Sequence, residues 1–163
     1  MTGNGKNNEI IHFLILGNSK VHILRAIDYF DIKKAVIFTS ENMMIENQPF
    51  IDEIEQNGVN VIKVVLLSPF EEKALENMSQ KILKTYELYS NRGSSEVIAG
   101  LTGGTNLMAL AMGMLCLSAG LKAHYVLNNE VNDLIEIDYF KKLWKNRDLS
   151  NLKDCILEGV ADE

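Results

Sequence analysis

The chain alternates short continuous apolar runs with segments whose apolar positions recur every three or four residues. Ile11–Leu16 (IHFLIL) is such a run, closed by Gly17, and predicts a strand buried on both faces. Ser19 then stands where it can cap a helix over Lys20–Phe30, with Val21, Leu24, Ala26, Ile27 and Phe30 on one face. Lys34–Thr39 predicts the second strand, and a helix over about Gln48–Asn57 stops at Gly58. Val59–Leu66 predicts strand three, after which Ser68-Pro69 opens a helix over Phe70–Tyr89. Past the polar loop Ser90–Ser95, a fourth strand around Glu96–Ala99 leads through GLTGGTN (Gly100–Asn106) into a helix that ends at Gly120. Strand five, Lys122–Leu127, turns at Asn128–Asn132 into a returning strand, Leu134–Asp138.

Strand–helix repeats force parallel pairing with helical crossovers. The expected fold is therefore α/β: a Rossmann-like, doubly wound, mostly parallel sheet in three α/β/α layers, with a C-terminal antiparallel edge hairpin. The expected organisation is a polar, disordered tail over residues 1–9, one domain over 10–138, and a helical tail over 139–163. In that tail Leu149, Leu152 and Ile156 suggest a short amphipathic helix after the basic stretch Lys141, Lys142, Lys145 and Arg147. It would pack on the sheet or on a partner subunit.

With 163 residues, the chain is long enough for one core. Acidic residues outnumber basic ones by 22 to 16, which argues against a coat for long DNA or RNA, whose affinity comes from neutralising many phosphates. A small phosphate ligand needs only a local positive patch. Cys116 and Cys155 make neither a disulfide framework nor a metal cluster, so a reducing cytoplasm is the expected compartment. No signal peptide is visible, and Leu107–Leu117 is too short for a bilayer span.

In a doubly wound sheet, ligands bind past the carboxyl ends of the strands where the winding reverses. For a strand order 3-2-1-4-5 that point lies between strands one and four. The two unusual loops of the chain follow those strands: Gly17-Asn18-Ser19-Lys20, and Thr102-Gly103-Gly104-Thr105-Asn106. Gly103 and Gly104 permit positive φ and close backbone approach, and the loop runs into a helix N-terminus, which favours an anion. Thr102, Thr105 and Asn106 add donors, and Lys20 can add a charge.

Other fingerprints are missing. No Walker loop, GxGxxG after strand one, or nucleophile elbow is present. Glu41 alone is a weak match to a ribose-binding acid. His12, His22 and His124 lack metal-like spacing and read as structural, so no metal or cofactor is expected. Met108, Met112 and Met114 read as packing residues. Helix four is apolar on nearly every side and must be buried all round; its outer face meets either a second subunit or the chain's own tail.

With these loops in view, the sequence resembles the CARF family, the CRISPR-associated Rossmann-fold domains that sense cyclic oligoadenylates. The resemblance spans Ile11–Asp138. It is carried by LGNS (Leu16–Ser19) and GLTGGTNLMALAMGML (Gly100–Leu115). The family commonly has lysine where this chain has Asn106. The resemblance implies a homodimer whose two-fold cleft holds a cyclic oligoadenylate, most simply cyclic tetra-adenylate, with adenines near Thr39–Asn42 (including Ser40) and Asn128. It implies a sensor module of type III CRISPR antiviral defence, with an output domain in a longer parent chain that could also be membrane-anchored.

Some CARF proteins also cleave the ring without a metal, so a stand-alone ring nuclease is the alternative. Asn18 and Ser19 would then orient the ribose 2′-hydroxyl or the scissile phosphate, Thr105 and Asn106 would donate to its oxygens, and Lys20 would stabilise charge. A nucleotide-dependent Rossmann enzyme, binding one ligand per monomer, is the third reading.

Overall fold

Every side chain from Ile11 to Leu16 of the first strand, β1 (Glu9–Leu16), is buried. That is the signature of a central strand covered on both faces. β1 pairs in parallel with β2 (Lys34–Ser40) on one side and with β4 (Ser95–Gly100) on the other. Including β3 (Asn60–Leu67), β5 (Lys122–Val126) and β6 (Leu134–Ile137), the sheet has the order β3-β2-β1-β4-β5-β6. Only β5 and β6 pair antiparallel, Tyr125 facing Ile135. The expected doubly wound sheet with its edge hairpin is present. The computed structural model describes residues 9–90, 95–146 and 149–159.

Alternation along the strands sorts the core into two halves. Ile11, Phe13 and Ile15 join Val36, Phe38, Val97 and Ala99 beneath α3 (Ala74–Ser90) and α4 (Asn106–Ala119). Leu14, Leu16, Ala35 and Ile37 face α1 (Val21–Phe30) and α2 (Met44–Gln56). Two further helices, α5 (Tyr139–Asn146) and α6 (Ser150–Glu158), lie outside α3 and α4. The tail therefore packs on the chain's own body, mainly on α3 and α4, with α5 also reaching β5 of the sheet. The Trp144 indole N–H donates to the Ser118 carbonyl oxygen at 3.2 Å, and Lys153 pairs with Glu87 at 2.8 Å.

Several boundaries differ from expectation. Ser19 does not cap α1; Lys20 is the capping residue, and its carbonyl accepts from Ile23 and Leu24 without help from a side chain. α2 begins before Pro49 and not just ahead of it, preceded by a single 3-10 turn at Glu41–Met43. The buried Asn47 amide, which donates to Thr39 Oγ1 at 3.0 Å, pins that early turn to the end of β2. Pro69 does not open α3, which starts only at Ala74. The basic stretch of the tail folds as α5 up to Asn146, and Arg147 lies outside the described residues, as do residues 1–8 of the expected disordered tail. Glu9 belongs to β1 and pairs with Lys34. Of the Ser90–Ser95 loop, residues 91–94 are outside the described set. No helix among the described residues is long and apolar enough to cross a membrane.

A histidine cluster sits on the α1 face. His12 on β1 and His124 on β5 flank the Phe30 ring, with centroids 5.1 and 5.2 Å from it. Both histidines are buried, and His12 Nδ1 and both His124 nitrogens have no hydrogen-bond partner among the described residues. Loss of hydration pushes each imidazole down to about 4, and for His124 the neighbouring His12 and His22 push the same way. In the unfolded chain both titrate near the ordinary value, about 6.5. Between these limits the unfolded state binds more protons, so stability is complete at neutral pH and is lost as pH falls below about 6.5. Urea midpoints should therefore drop from pH 7 to pH 5, and the double variant His12→Phe, His124→Leu should flatten that slope. An unchanged slope in the double variant would exclude the pair as its source.

Candidate anion-binding crevice

Winding reverses between β1 and β4, so the loops that follow them emerge side by side at the carboxyl edge of the sheet. They meet at their glycines. A Cβ on Gly17 would lie 2.7 Å from the Gly104 nitrogen and 2.8 Å from its Cα. Any side chain there forces backbone from backbone. Gly104 has φ +63° and Gly103 φ +112°, conformations that glycine adopts without a steric penalty. Beneath Gly103, the buried His22 ring donates from Nε2 to the Ile15 carbonyl oxygen at 2.7 Å. Burial lowers the pKa of His22, and this bond opposes the shift.

The hydroxyls of the second loop have structural partners. Thr105 is the N-cap of α4, its Oγ1 accepting from the Met108 N–H at 3.2 Å; the hydroxyl proton remains free to donate outward. Thr102 Oγ1 accepts from the Val126 N–H at 2.8 Å and ties the loop to the end of β5. Neither α1 nor α4 has an acidic residue in its first turn, so the positive ends of both helices are uncancelled.

Beside the glycine contact lies a cleft of about 300 Å³, lined by Leu16, Gly17, Asn18, Ser40, Asn42, Met43, Phe70, Gly104, Thr105 and Met108. It brings together six of the residues singled out from sequence as ligand contacts: Gly17, Asn18, Ser40, Asn42, Gly104 and Thr105. Ser19, Asn106 and Asn128 are exposed but do not line it. Thr39 is fully buried behind Ser40, its hydroxyl taken by Asn47. The Lys20 ammonium lies 5.6 Å from the centroid of the Phe50 ring, turned towards α2. Met43 and Phe70 were not singled out. Phe70 was read as the first residue of a helix, whereas it belongs to the loop between β3 and α3. Among the described residues, no group of three or more His, Cys, Asp or Glu side chains could hold a metal ion.

Neither a family model nor a curated protein sequence matches the chain. Its fold, however, is shared with solved structures. A type III CRISPR defence DNA nuclease activated by cyclic oligoadenylate matches with a TM-score of 0.62 and 24% identity, over 78% of this chain and 20% of its own. Csm6 from Enterococcus italicus, bound to cyclic hexa-2′-fluoro-hexa-dAMP, gives 0.61 and 13% identity, over 91% and 40%. Can2 from Sulfobacillus thermosulfidooxidans, in complex with cyclic tetra-adenylate, gives 0.55 and 18% identity, over 73% and 32%. The fold is thus CARF-like. The chain spans at most two fifths of the length of these matched chains.

Two substitutions test how the crevice is built. Gly17→Ala should cost about 1–3 kcal/mol through overpacking against Gly104, read as a lower urea midpoint. Thr105→Val should cost about 1 kcal/mol through loss of the cap, with Thr105→Ser close to wild type. A wild-type midpoint for Gly17→Ala would mean that the two loops are not in contact.

Proposed function

We propose that this chain is a sensor module that binds a cyclic oligoadenylate, cyclic tetra-adenylate first, across the two-fold axis of a homodimer. The observation that carries the reading is the contact of Gly17 with Gly104 beside a cleft at the N-terminus of α4. Backbone N–H groups and the helix dipole there suit a phosphate without requiring a basic protein. Support also comes from the fold neighbours, one activated by cyclic oligoadenylate, one bound to a cyclic hexanucleotide and one in complex with cyclic tetra-adenylate. A ligand with two-fold symmetry can make the same contacts with each of two protomers. The output of such a sensor would lie in a further domain.

An uncovered apolar surface beside the crevice fits the second protomer. Leu107 and Leu110 of α4 are 38% and 52% exposed. Ala123 and Ile137 pack in the core beneath α4, so strand alternation puts Tyr125 and Ile135 on that same side, 42% and 45% exposed. α5 and α6 reach α4 but leave these leucines in solvent.

Ring cleavage is the second reading, favoured by Asn18 and Ser19 being exposed at the cleft and its rim. In that reaction the ribose 2′-hydroxyl attacks the adjacent phosphorus and the P–O5′ bond breaks. The proton goes to the leaving 5′ oxygen, and a 2′,3′-cyclic phosphate remains.

Calorimetry with cyclic tri-, tetra- and hexa-adenylate tests both. The expected result is one cyclic tetra-adenylate per two chains, with binding weakened at least about tenfold, a change of about 1.4 kcal/mol, by Gly104→Val. Mass analysis after prolonged incubation distinguishes intact ring (sensor) from 2′,3′-cyclic phosphate products (nuclease). Binding of one linear nucleotide per monomer, with no ring bound, would overturn both in favour of a nucleotide-dependent enzyme.

A further inference from the structure

The last helix, α6, runs along α3 and is held to it at two points. Lys153 pairs with Glu87 at 2.8 Å. Gly159, just past the helix, comes so near α3 that a Cβ on it would lie 3.3 Å from a Glu76 carboxylate oxygen. Between these attachments α6 does not close down on α4. A cavity of about 510 Å³ lies among the three helices and shares no lining residue with the crevice. Its volume is in the range that takes a drug-sized molecule.

The walls are apolar: Leu75 from α3, Met114 and Leu117 from α4, and Leu152 and Ile156 from α6. Two hydroxyls reach the lining, and both spend their protons within the protein. Ser118 Oγ donates to the Leu115 carbonyl oxygen at 3.1 Å, and Ser79 Oγ to Met114 Sδ at 3.5 Å. Water is held in a cavity only through several polar partners, so these walls favour an apolar occupant over solvent. Lys73 and Glu76, both exposed, bring one charge of each sign to the lining. Neither an anion nor a cation gains net attraction there, and either would lose hydration against the apolar walls. The flexible, polarisable thioether of Met114 can follow the outline of what it touches.

We infer that this cavity is a second binding site, which takes one uncharged, largely apolar small molecule between α4 and α6. The inference does not rest on the sensor reading. Affinity at this site comes from apolar area removed from water, whereas the crevice attracts an anion through peptide N–H groups.

Two measurements on the whole chain test it. The first is uptake of N-phenylnaphthylamine, an uncharged dye whose emission rises out of water, with decanol as competitor. The second uses Cys155, whose exposed thiol lines the cavity, while burial pushes the Cys116 thiol up to about 12. Alkylation of Cys155 by N-ethylmaleimide, followed by mass, therefore reports on the cavity without any substitution. One dye should bind per chain and be displaced by decanol. Cys155→Phe, which fills the space from an exposed helix position, should weaken the dye at least about tenfold. Saturating decanol should slow alkylation of Cys155 at least about threefold by limiting access to the thiol. Cyclic tetra-adenylate binding should be the same in Cys155→Phe as in wild type. Absence of saturable dye uptake, uptake that Cys155→Phe leaves unchanged, or an alkylation rate indifferent to decanol overturns the inference, whether or not the ring binds at the crevice.

Discussion

Two strands wound in opposite directions leave a gap at the edge of the sheet, and what fills it decides whether the fold has a site. In this chain the gap is closed from beneath by backbone alone, because Gly17 and Gly104 approach more closely than any pair with side chains can. Everything that gives the crevice its character follows from that approach. It brings Asn18 beside Thr105, aims the α4 N-terminus at the cleft, and leaves the wall free for Ser40, Asn42 and Phe70 from the adjoining strand ends. The donors of the proposed anion site are peptide groups, which would let an acidic chain hold a phosphate.

The sheet and the two loops were legible in the sequence because they rest on local, strong signals. A continuous apolar run such as Ile11–Leu16 has few outcomes other than a central strand, and glycines that follow two such runs fix where the backbone turns. The switch-point rule then joins loops that are far apart in the chain. What stayed hidden depends on tertiary partners. The α2 start was set by Asn47 reaching Thr39, which no propensity foretells. Ser19 lost its expected capping role because the helix takes its first turn from the Lys20 carbonyl.

Side-chain direction was the least legible of all. Lys20 is adjacent to the crevice in sequence, but its ammonium leans on Phe50. Thr39 is at the right strand end but points inward. Thr102 spends its acceptor on Val126. Conversely Phe70 looked like a helix residue, since Ser68-Pro69 usually opens a helix and here opens a loop. The outer face of α4 had two possible covers, and the tail turned out to supply one over its carboxyl-terminal part, through Trp144 on Ser118.

The central strand pairing has a kinetic side. β1 meets β2 across a short helical crossover, but its other neighbour, β4, arrives 86 residues later, as the Glu9–Ser95 contact measures. Closing so long a loop is entropically slow compared with local pairing. During synthesis, a nascent chain can form the β1–α1–β2–α2–β3 half well before the residues of β4 exist to dock on it. The crevice, lined by residues from Leu16 to Met108, therefore forms only when the molecule's two halves join, and a chain that ends before α4 cannot present it.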